Sequence, residues 1–161
     1  MHAPLDQARL AELLPGSWSI VATNFPMWLS GKRSHPRFSY ALVSADPLVL
    51  GDDVSYLDAD GKDRHILGRD VLRGDEFVWR GRGALGVIAS RWSVAGCSDD
   101  GEVVAIRFSK SLATPAGVDI IVREGANQPE VRAVVANASE QFGLTPEGLG
   151  SLSWLGVDRR G

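Results

Sequence analysis

The sequence has few of the residues from which metal and disulfide sites are built. Among its 161 residues there is one cysteine, Cys97, and three histidines, His2, His35 and His65. One cysteine excludes an internal disulfide and suits a reducing compartment. The three histidines are too scattered to have the ligand spacing of a metal site. We therefore expect neither a bound metal nor a cofactor.

The sequence also lacks charge clustering and long apolar runs. Its net charge is −3, with acidic and basic residues mixed along the chain. This mixing argues against a nucleic-acid or anionic-membrane surface, which needs a clustered basic face. No apolar run approaches the ~20 residues of a membrane span. Residues 1–16 lack the basic start and continuous apolar stretch of a signal peptide, so we expect a cytoplasmic protein.

The sequence does contain a regular series of short β-type segments. Its 18 glycines punctuate runs that are rich in Val, Ile, Trp and Phe, a pattern typical of an all-β sandwich or barrel. The predicted strands lie at 17–24, 36–43, 54–59, 63–72, 76–81, 88–96, 102–110 and 118–124. Eight sequential strands with short connections favour a closed antiparallel up-and-down β-barrel, which leaves no exposed edge and has room for one small ligand.

Helical patterns flank these strands. A short amphipathic helix is predicted before the barrel, at 5–14, and a second one after it, at about 128–142. A last apolar run at about 152–157 predicts a short closing strand. We expect a single domain over 1–161, with the barrel at about 16–124 and the C-terminal helix and strand packed outside it.

Three positions give the chain a resemblance to the lipocalins. Gly16-Ser17-Trp18, at the start of the first strand, resembles the G-x-W signature of that family. Arg123 ends the eighth strand, where lipocalins place an arginine across that tryptophan. The tail, with its helix, glycine-rich break and Leu/Trp strand, is similar to that of bacterial lipocalins. The resemblance implies structural roles for Gly16, Trp18 and Arg123 at the closed base of the barrel.

Strand alternation supports this placement independently of the resemblance. In an up-and-down barrel the first strand begins at the end where the eighth strand finishes, so Trp18 and Arg123 should meet in a cation–π contact. The open end should then be formed by 25–35, 58–63, 82–88 and 109–117. The apolar loop Phe25–Leu29 lies at that end, where it either folds over the mouth as a lid or fills a satellite core.

Aromatic residues are the expected ligand contacts, because rings bury a large apolar area and line ligand cavities. The candidate ligand-binding residues are Asn24, Met27, Trp28, Phe38, Tyr40, Phe77, Trp79 and Trp92. No catalytic motif is present, but acid–base chemistry needs only one or two groups that face the cavity. The candidates for it are His65, Tyr40, Asp70, Arg107 and Lys110. The sequence leaves open which face of each middle strand lies inside.

These observations favour a carrier or sequestering protein for one hydrophobic or amphipathic small molecule. A second hypothesis is a cofactor-free cyclase or isomerase of specialised metabolite biosynthesis, including a pericyclic one, that uses the cavity as a template. A third is a protein-interaction module that docks a partner through the Phe25–Leu29 loop. In each case we expect no nucleic acid and no membrane span, and a monomer or weak homodimer.

Overall fold

The computed structural model describes residues 5–83, 86, 89–110 and 116–155, and within them eight antiparallel strands close into a barrel. The strands are β1 Gly16–Thr23, β2 Ser34–Ala45, β3 Leu48–Leu57, β4 Asp63–Arg73, β5 Glu76–Gly81, β6 Ala89–Cys97, β7 Val103–Phe108 and β8 Gly117–Arg123. Each strand pairs with the next in sequence, and β1 pairs with both β2 and β8. The predicted up-and-down barrel is thereby confirmed.

Short helices and one further strand lie outside the barrel wall. The helices of the described ranges are α1 Gln7–Leu13, α2 Pro26–Leu29, α3 Val131–Asn137 and α4 Pro146–Gly150. The strand β9, Ser153–Trp154, pairs with the end of β1. It is shorter than the predicted strand at 152–157, whose last two positions lie outside the described residues. No helix in the part of the chain that is described is both long and apolar enough to cross a membrane.

The C-terminal helix is much shorter than the prediction of 128–142. Helix α3 ends at Asn137, and Ala138 already has a non-helical backbone. The chain then turns, which brings Phe142 onto the barrel wall at 1% exposure. Gly96 allows this approach, because a Cβ at that position would overlap the backbone of Gln141 and Phe142. The helical period continues past Asn137, but this tertiary contact decides where the helix ends.

Two short helices, α2 and α4, were not predicted from the sequence. Both α2 and α4 have proline in their first turn, where its missing N–H costs nothing. Thr145 caps α4 by accepting a hydrogen bond from the Gly148 amide at 3.0 Å.

Apolar side chains form two layers, one inside the barrel and one on its outer wall. The interior cluster includes Trp18, Ile20, Phe38, Tyr40, Leu50, Phe77, Trp92, Ile106 and Ile121. The outer cluster packs α3 and Phe142 against the other face of β7 and β8. Buried on both faces, β8 has a nearly continuous apolar sequence in place of a simple alternation.

Irregular pairing moves two residues off the face that simple strand alternation gives them. Alternation from Trp18 and Ile20 would place Ala22 on the same face, but the β1–β8 register shifts between Ile20 and Ala22. Ala22 therefore belongs to the outer cluster, while Trp18 and Ile20 lie inside. Alternation from Phe38 and Tyr40 would likewise place Leu42 inside, yet Leu42 is 49% exposed and lies next to a second register shift.

Arg123 joins the last strand to the first helix at the closed base. Its guanidinium carbon lies 4.2 Å from the ring centroid of Trp18. The same group donates hydrogen bonds to the carbonyls of Leu13, at 2.6 Å, and Pro15, at 3.1 Å. A cation at the C-terminal end of α1 also complements the carbonyls that the helix leaves unpaired.

Gly16 is required by the position of that guanidinium. It has a φ of +126°, and a Cβ there would lie 2.7 Å from an Arg123 nitrogen. The Trp18 indole N–H in turn donates to the Leu14 carbonyl at 2.9 Å. Gly16, Trp18 and Arg123 therefore form one interlocked contact that fastens α1 across the base.

We predict that Arg123→Met lowers the free energy of unfolding by about 2–4 kcal/mol, since it removes two charge-assisted hydrogen bonds and a cation–π contact. Urea unfolding followed by tryptophan fluorescence measures this. The control is Arg132→Met, because the Arg132 guanidinium lies farther from a ring, 5.9 Å from the Trp154 centroid. The control should change stability by less than ~0.5 kcal/mol. Equal effects of the two variants would contradict the role of Arg123.

Candidate ligand-binding site

A continuous set of aromatic rings crosses the barrel interior. Phe77 stacks on Trp92 with 4.4 Å between ring centroids, and Trp92 stacks on Tyr40 at 5.6 Å. Tyr40 stacks on Phe38 at 5.9 Å, and Phe38 continues to Phe108 at 6.5 Å. These rings come from β2, β5, β6 and β7, so the wall they form is held by several paired strands.

Helix α2 covers the open end with two more rings. Phe25 and Trp28 are each 5% exposed and belong to the interior cluster. Phe25 packs edge-on against Phe108 at 5.2 Å, and Trp28 packs edge-on against Tyr56 at 5.7 Å. Met27 points outwards and is 36% exposed. The Phe25–Leu29 segment therefore lies over the mouth of the barrel, opposite the base that α1 closes.

Two carboxylates lie among these rings. Asp52 is 7% exposed and Asp70 is fully buried. In the β3–β4 register Asp52 is opposite Gly68 and Asp70 is opposite Leu50, two positions along, so both side chains occupy the same face. The Trp92 indole N–H donates to Asp70 Oδ1 at 2.9 Å. Asp52 Oδ1 and Asp70 Oδ2 are buried without a hydrogen-bond partner.

Gly68 makes room for a third unpaired group. A Cβ at Gly68 would overlap the Trp79 indole nitrogen, so the absence of a side chain lets this indole lie across β4 beside the two carboxylates. Trp79 Nε1 is buried and has no hydrogen-bond partner. Unpaired buried donors and acceptors are rare in native proteins, and here three of them occur next to one another.

A third carboxylate lies on another part of the wall. Asp119 on β8 is 1% exposed, and its Oδ1 has no partner. Burial raises the pKa of Asp119 to about 7, although a hydrogen bond with Thr23 acts in the opposite direction. Asp119 is therefore protonated in part near neutral pH.

Burial has a similar effect on the pair on β3 and β4. It raises the pKa of Asp52 well above its usual range, and repulsion from Asp70 adds to the effect. Burial also raises the pKa of Asp70, to about 6, while the neighbouring Asp52 and the Trp92 indole limit the rise. The two groups interact, so they titrate as a pair, and burial favours their protonated forms. Burial and the three carboxylates together raise the pKa of the Tyr40 hydroxyl.

The structure brings most of the aromatic candidates together. Phe38, Tyr40, Phe77 and Trp92 are buried inside the barrel, with Trp79 half-buried beside them. Asn24 follows the end of β1 and is not part of this group. Its side chain accepts a hydrogen bond from the Val118 amide at 2.8 Å and donates one to Ser151 at 3.1 Å. These bonds connect β1 to β8 and to the end of α4. Parts of the predicted open end, at 84–85, 87–88 and 111–115, lie outside the described residues.

Two of the catalytic candidates do not face the interior. Arg107 alternates with the interior residues Ile106 and Phe108, and it donates to the Gly143 carbonyl on the outer wall. His65 lies on the outer face of β4, where Nδ1 contacts the Asp53 carboxylate at 2.9 Å and Nε2 contacts Asp63 at 3.1 Å. Of the acid–base candidates, Tyr40 and Asp70 are buried inside.

Sequence reasoning missed Asp52 and Asp119. The sequence signal that could have found Asp52 is its position in the strand alternation. Asp52 lies an even number of residues from Leu48, Leu50 and Val54, all of which face the interior. A charged residue in phase with interior apolar residues marks a polar group inside a barrel. Asp119 is harder to recognise, because β8 is buried on both faces and has no clear alternation.

A cleft of about 410 Å³ crosses the wall at β1 to β4. Its lining includes the outward-facing residues Ser39, Ala41, Gly51, Asp53 and Leu67. It also includes Tyr40, Asp52 and Gly68, so the cleft reaches the part of the wall that holds the Asp52 carboxylate.

Comparisons with solved structures identify the fold. Lobster apocrustacyanin A1 superposes with a TM-score of 0.62 at 11% identity, over 95% of this chain and 86% of that one. The siderocalin Ex-FABP has a TM-score of 0.59 at 15% identity, over 88% and 93%. A biogenic amine-binding protein has a TM-score of 0.61 at 13% identity, over 90% and 80%. No family model matches the sequence, and no curated protein does.

We predict that the pKa of His65 lies above its ordinary value, because its hydrogen bonds to Asp53 and Asp63 favour the imidazolium. The resulting stabilisation is complete below the unfolded-state pKa of ~6.5 and is lost as the pH rises through the folded-state pKa. An NMR titration of the His65 ring measures the pKa. Asp53→Asn should lower it, whereas Asp75→Asn, in the β4–β5 turn, should not. A pKa at or below the ordinary value would refute this assignment.

Proposed function

Because the chain has the lipocalin fold, we propose that it binds one small amphipathic molecule inside the barrel, as a carrier or sequestering protein. The observation that carries this proposal is the composition of the interior wall. Stacked aromatic rings surround buried polar atoms that have no partner in the protein, namely Asp52 Oδ1, Asp70 Oδ2 and Trp79 Nε1.

The energetics of burial support an occupied interior. A buried polar group without a hydrogen bond costs about 1–3 kcal/mol, so three such atoms would lower stability considerably. A bound molecule with complementary polar groups would recover this cost, and its apolar part would pack against the rings. The same argument favours an amphipathic ligand over a purely apolar one, since a hydrocarbon would leave all three atoms unpaired.

The superposed structures are consistent with this proposal. One of them is by its name a protein that binds biogenic amines, and the siderocalin is described as having dual ligand specificities. At identities of 11–15% the superpositions establish the fold alone. Ligand binding by this chain is therefore inferred from its own interior residues.

Two further expectations belong to the proposal. We place the protein in the cytoplasm, since Cys97 is the only cysteine and a reducing compartment suits it. We also propose that it acts as a monomer or weak homodimer, because the site is built from strands of one barrel and needs no second copy.

The test is a fluorescence titration with Nile red, an uncharged dye whose emission rises in apolar surroundings. We predict saturable binding of one dye per chain, with quenching of tryptophan emission. Trp79→Phe should weaken binding about threefold to tenfold, because it removes the indole N–H and part of the ring area. Trp154→Phe is the matched control on the outer wall and should leave the affinity unchanged.

Two results would contradict the proposal. One is the absence of saturable binding by the folded protein, both for Nile red and for a panel of uncharged aromatic compounds. The other is binding that Trp79→Phe and Trp154→Phe weaken equally, since this would place the dye elsewhere than the barrel interior.

A further inference from the structure

Three carboxyl groups face the barrel interior, and no base forms a salt bridge with any of them within the described residues. They belong to Asp52, Asp70 and Asp119. Arg123 is at the base, where it covers Trp18 and donates to backbone carbonyls of the α1 end. Buried carboxylates are costly unless a proton or a cation neutralises them, so a cationic ligand would stabilise their ionised forms.

We propose that Asp52 and Asp70 bind the ammonium group of an organic amine, whose apolar body packs against the interior rings. This inference rests on the proposed function and specifies the class of ligand. Asp52 and Asp70 form the proposed site because they share a face of the β3–β4 ladder, whereas Asp119 lies on β8.

The arrangement of atoms fits an ammonium group. Asp70 Oδ1 is already held by the Trp92 indole at 2.9 Å, which leaves Asp70 Oδ2 and Asp52 Oδ1 as free acceptors. An ammonium has up to three N–H donors, and charge-assisted hydrogen bonds of this kind are the strong ones. Trp79 Nε1 has no partner and can donate a hydrogen bond to a hydroxyl or carbonyl oxygen of the same ligand.

The rings next to the carboxylates add a second attraction for a cation. Tyr40 lies directly opposite Asp52 in the β2–β3 register, and it stacks on Trp92 at 5.6 Å. The faces of tyrosine and tryptophan rings attract cations, most strongly where water is excluded. An aromatic wall that contains carboxylates therefore selects an organic cation over a neutral molecule of the same shape.

Other charged ligands fit less well. A carboxylate or phosphate would be repelled by the pair on β3 and β4 and by Asp119. A hard metal ion needs six or more oxygen ligands in most protein sites, and no cluster of three or more possible metal ligands occurs within the described residues. The apolar surroundings also suit the carbon skeleton of an amine better than a hydrated ion.

Binding should depend on pH through the carboxylates. Burial raises the pKa of Asp70 to about 6 and raises that of Asp52 well above its usual range, which favours the protonated forms of the empty pair. A bound ammonium favours the ionised forms, so amine binding releases protons. The affinity should fall as the pH decreases through about 6, where an alkylamine is still fully charged.

The experiment compares phenethylamine with phenethyl alcohol, which has nearly the same shape and no charge. Isothermal titration calorimetry measures the affinity for each compound at pH 7.5 and at pH 5. Repeating each titration in two buffers of different ionisation enthalpy gives the number of protons released on binding. We expect the amine to bind about tenfold or more tightly than the alcohol at the higher pH, with this preference reduced at pH 5.

Substitutions test whether Asp52 and Asp70 cause the preference for the amine over the alcohol. Asp70→Asn and Asp52→Asn should each reduce amine affinity about tenfold and leave the affinity for the alcohol within about twofold. Both should also raise the melting temperature of the empty protein, because an amide has no charge to desolvate; this readout confirms that the variants fold. Asp53→Asn, the adjacent residue on the outer face of β3, is the matched control and should change neither affinity.

The outcomes separate this inference from the proposed function. Saturable binding of Nile red and of the alcohol, with no preference for the amine and no effect of the two substitutions, would overturn the amine assignment alone. Failure of all the compounds to bind the folded protein would overturn the proposed function itself. A preference for the amine that Asp53→Asn abolishes and Asp70→Asn does not would place the cation site on the outer wall and refute the inference.

Discussion

The burial of Asp52 and Asp70 inside a closed barrel is the constraint on which the rest of this account depends. The wall that surrounds them is held by a complete ring of strand pairings, so neither carboxylate can reach water by the opening of an edge. The pair must therefore take up a proton or obtain a partner. Its free oxygens and the buried Trp79 N–H give the interior a polarity that the aromatic rings alone would lack.

The two ends of the barrel are built for different purposes. At the base, Arg123, Trp18 and Gly16 form one interlocked contact that fastens α1 across the opening. At the mouth, Phe25 and Trp28 cover the rings by edge-on packing against Phe108 and Tyr56; Trp28 lies in the four-residue helix α2, and Phe25 is its N-cap. Strong polar contacts at one end and a short apolar cover at the other suit a molecule that admits a ligand from one side while keeping its fold.

Much of the fold could be predicted from the sequence, because strand alternation and glycine punctuation are local signals. Because successive strands of an up-and-down barrel run in opposite directions, Trp18 and Arg123 could also be placed at the same end. The C-terminal helix was predicted too long, since the contact of Phe142 with Gly96 is tertiary and invisible to a helical period. The aromatic candidates were recognisable, but Asp52 was missed because the predicted third strand began at residue 54, whereas β3 begins at Leu48. His65 and Arg107 are acid–base candidates by residue type, and only the strand register shows that they lie on the outer face of the barrel.

The most direct test of the central claim is native mass spectrometry of the protein isolated from the cells that produce it, followed by organic extraction of whatever is bound. The account predicts a complex of one chain with one small amphipathic molecule, and an extracted compound that carries a basic nitrogen on an apolar skeleton. A mass equal to that of the chain alone, from a folded protein that also binds no added small molecule, would contradict it.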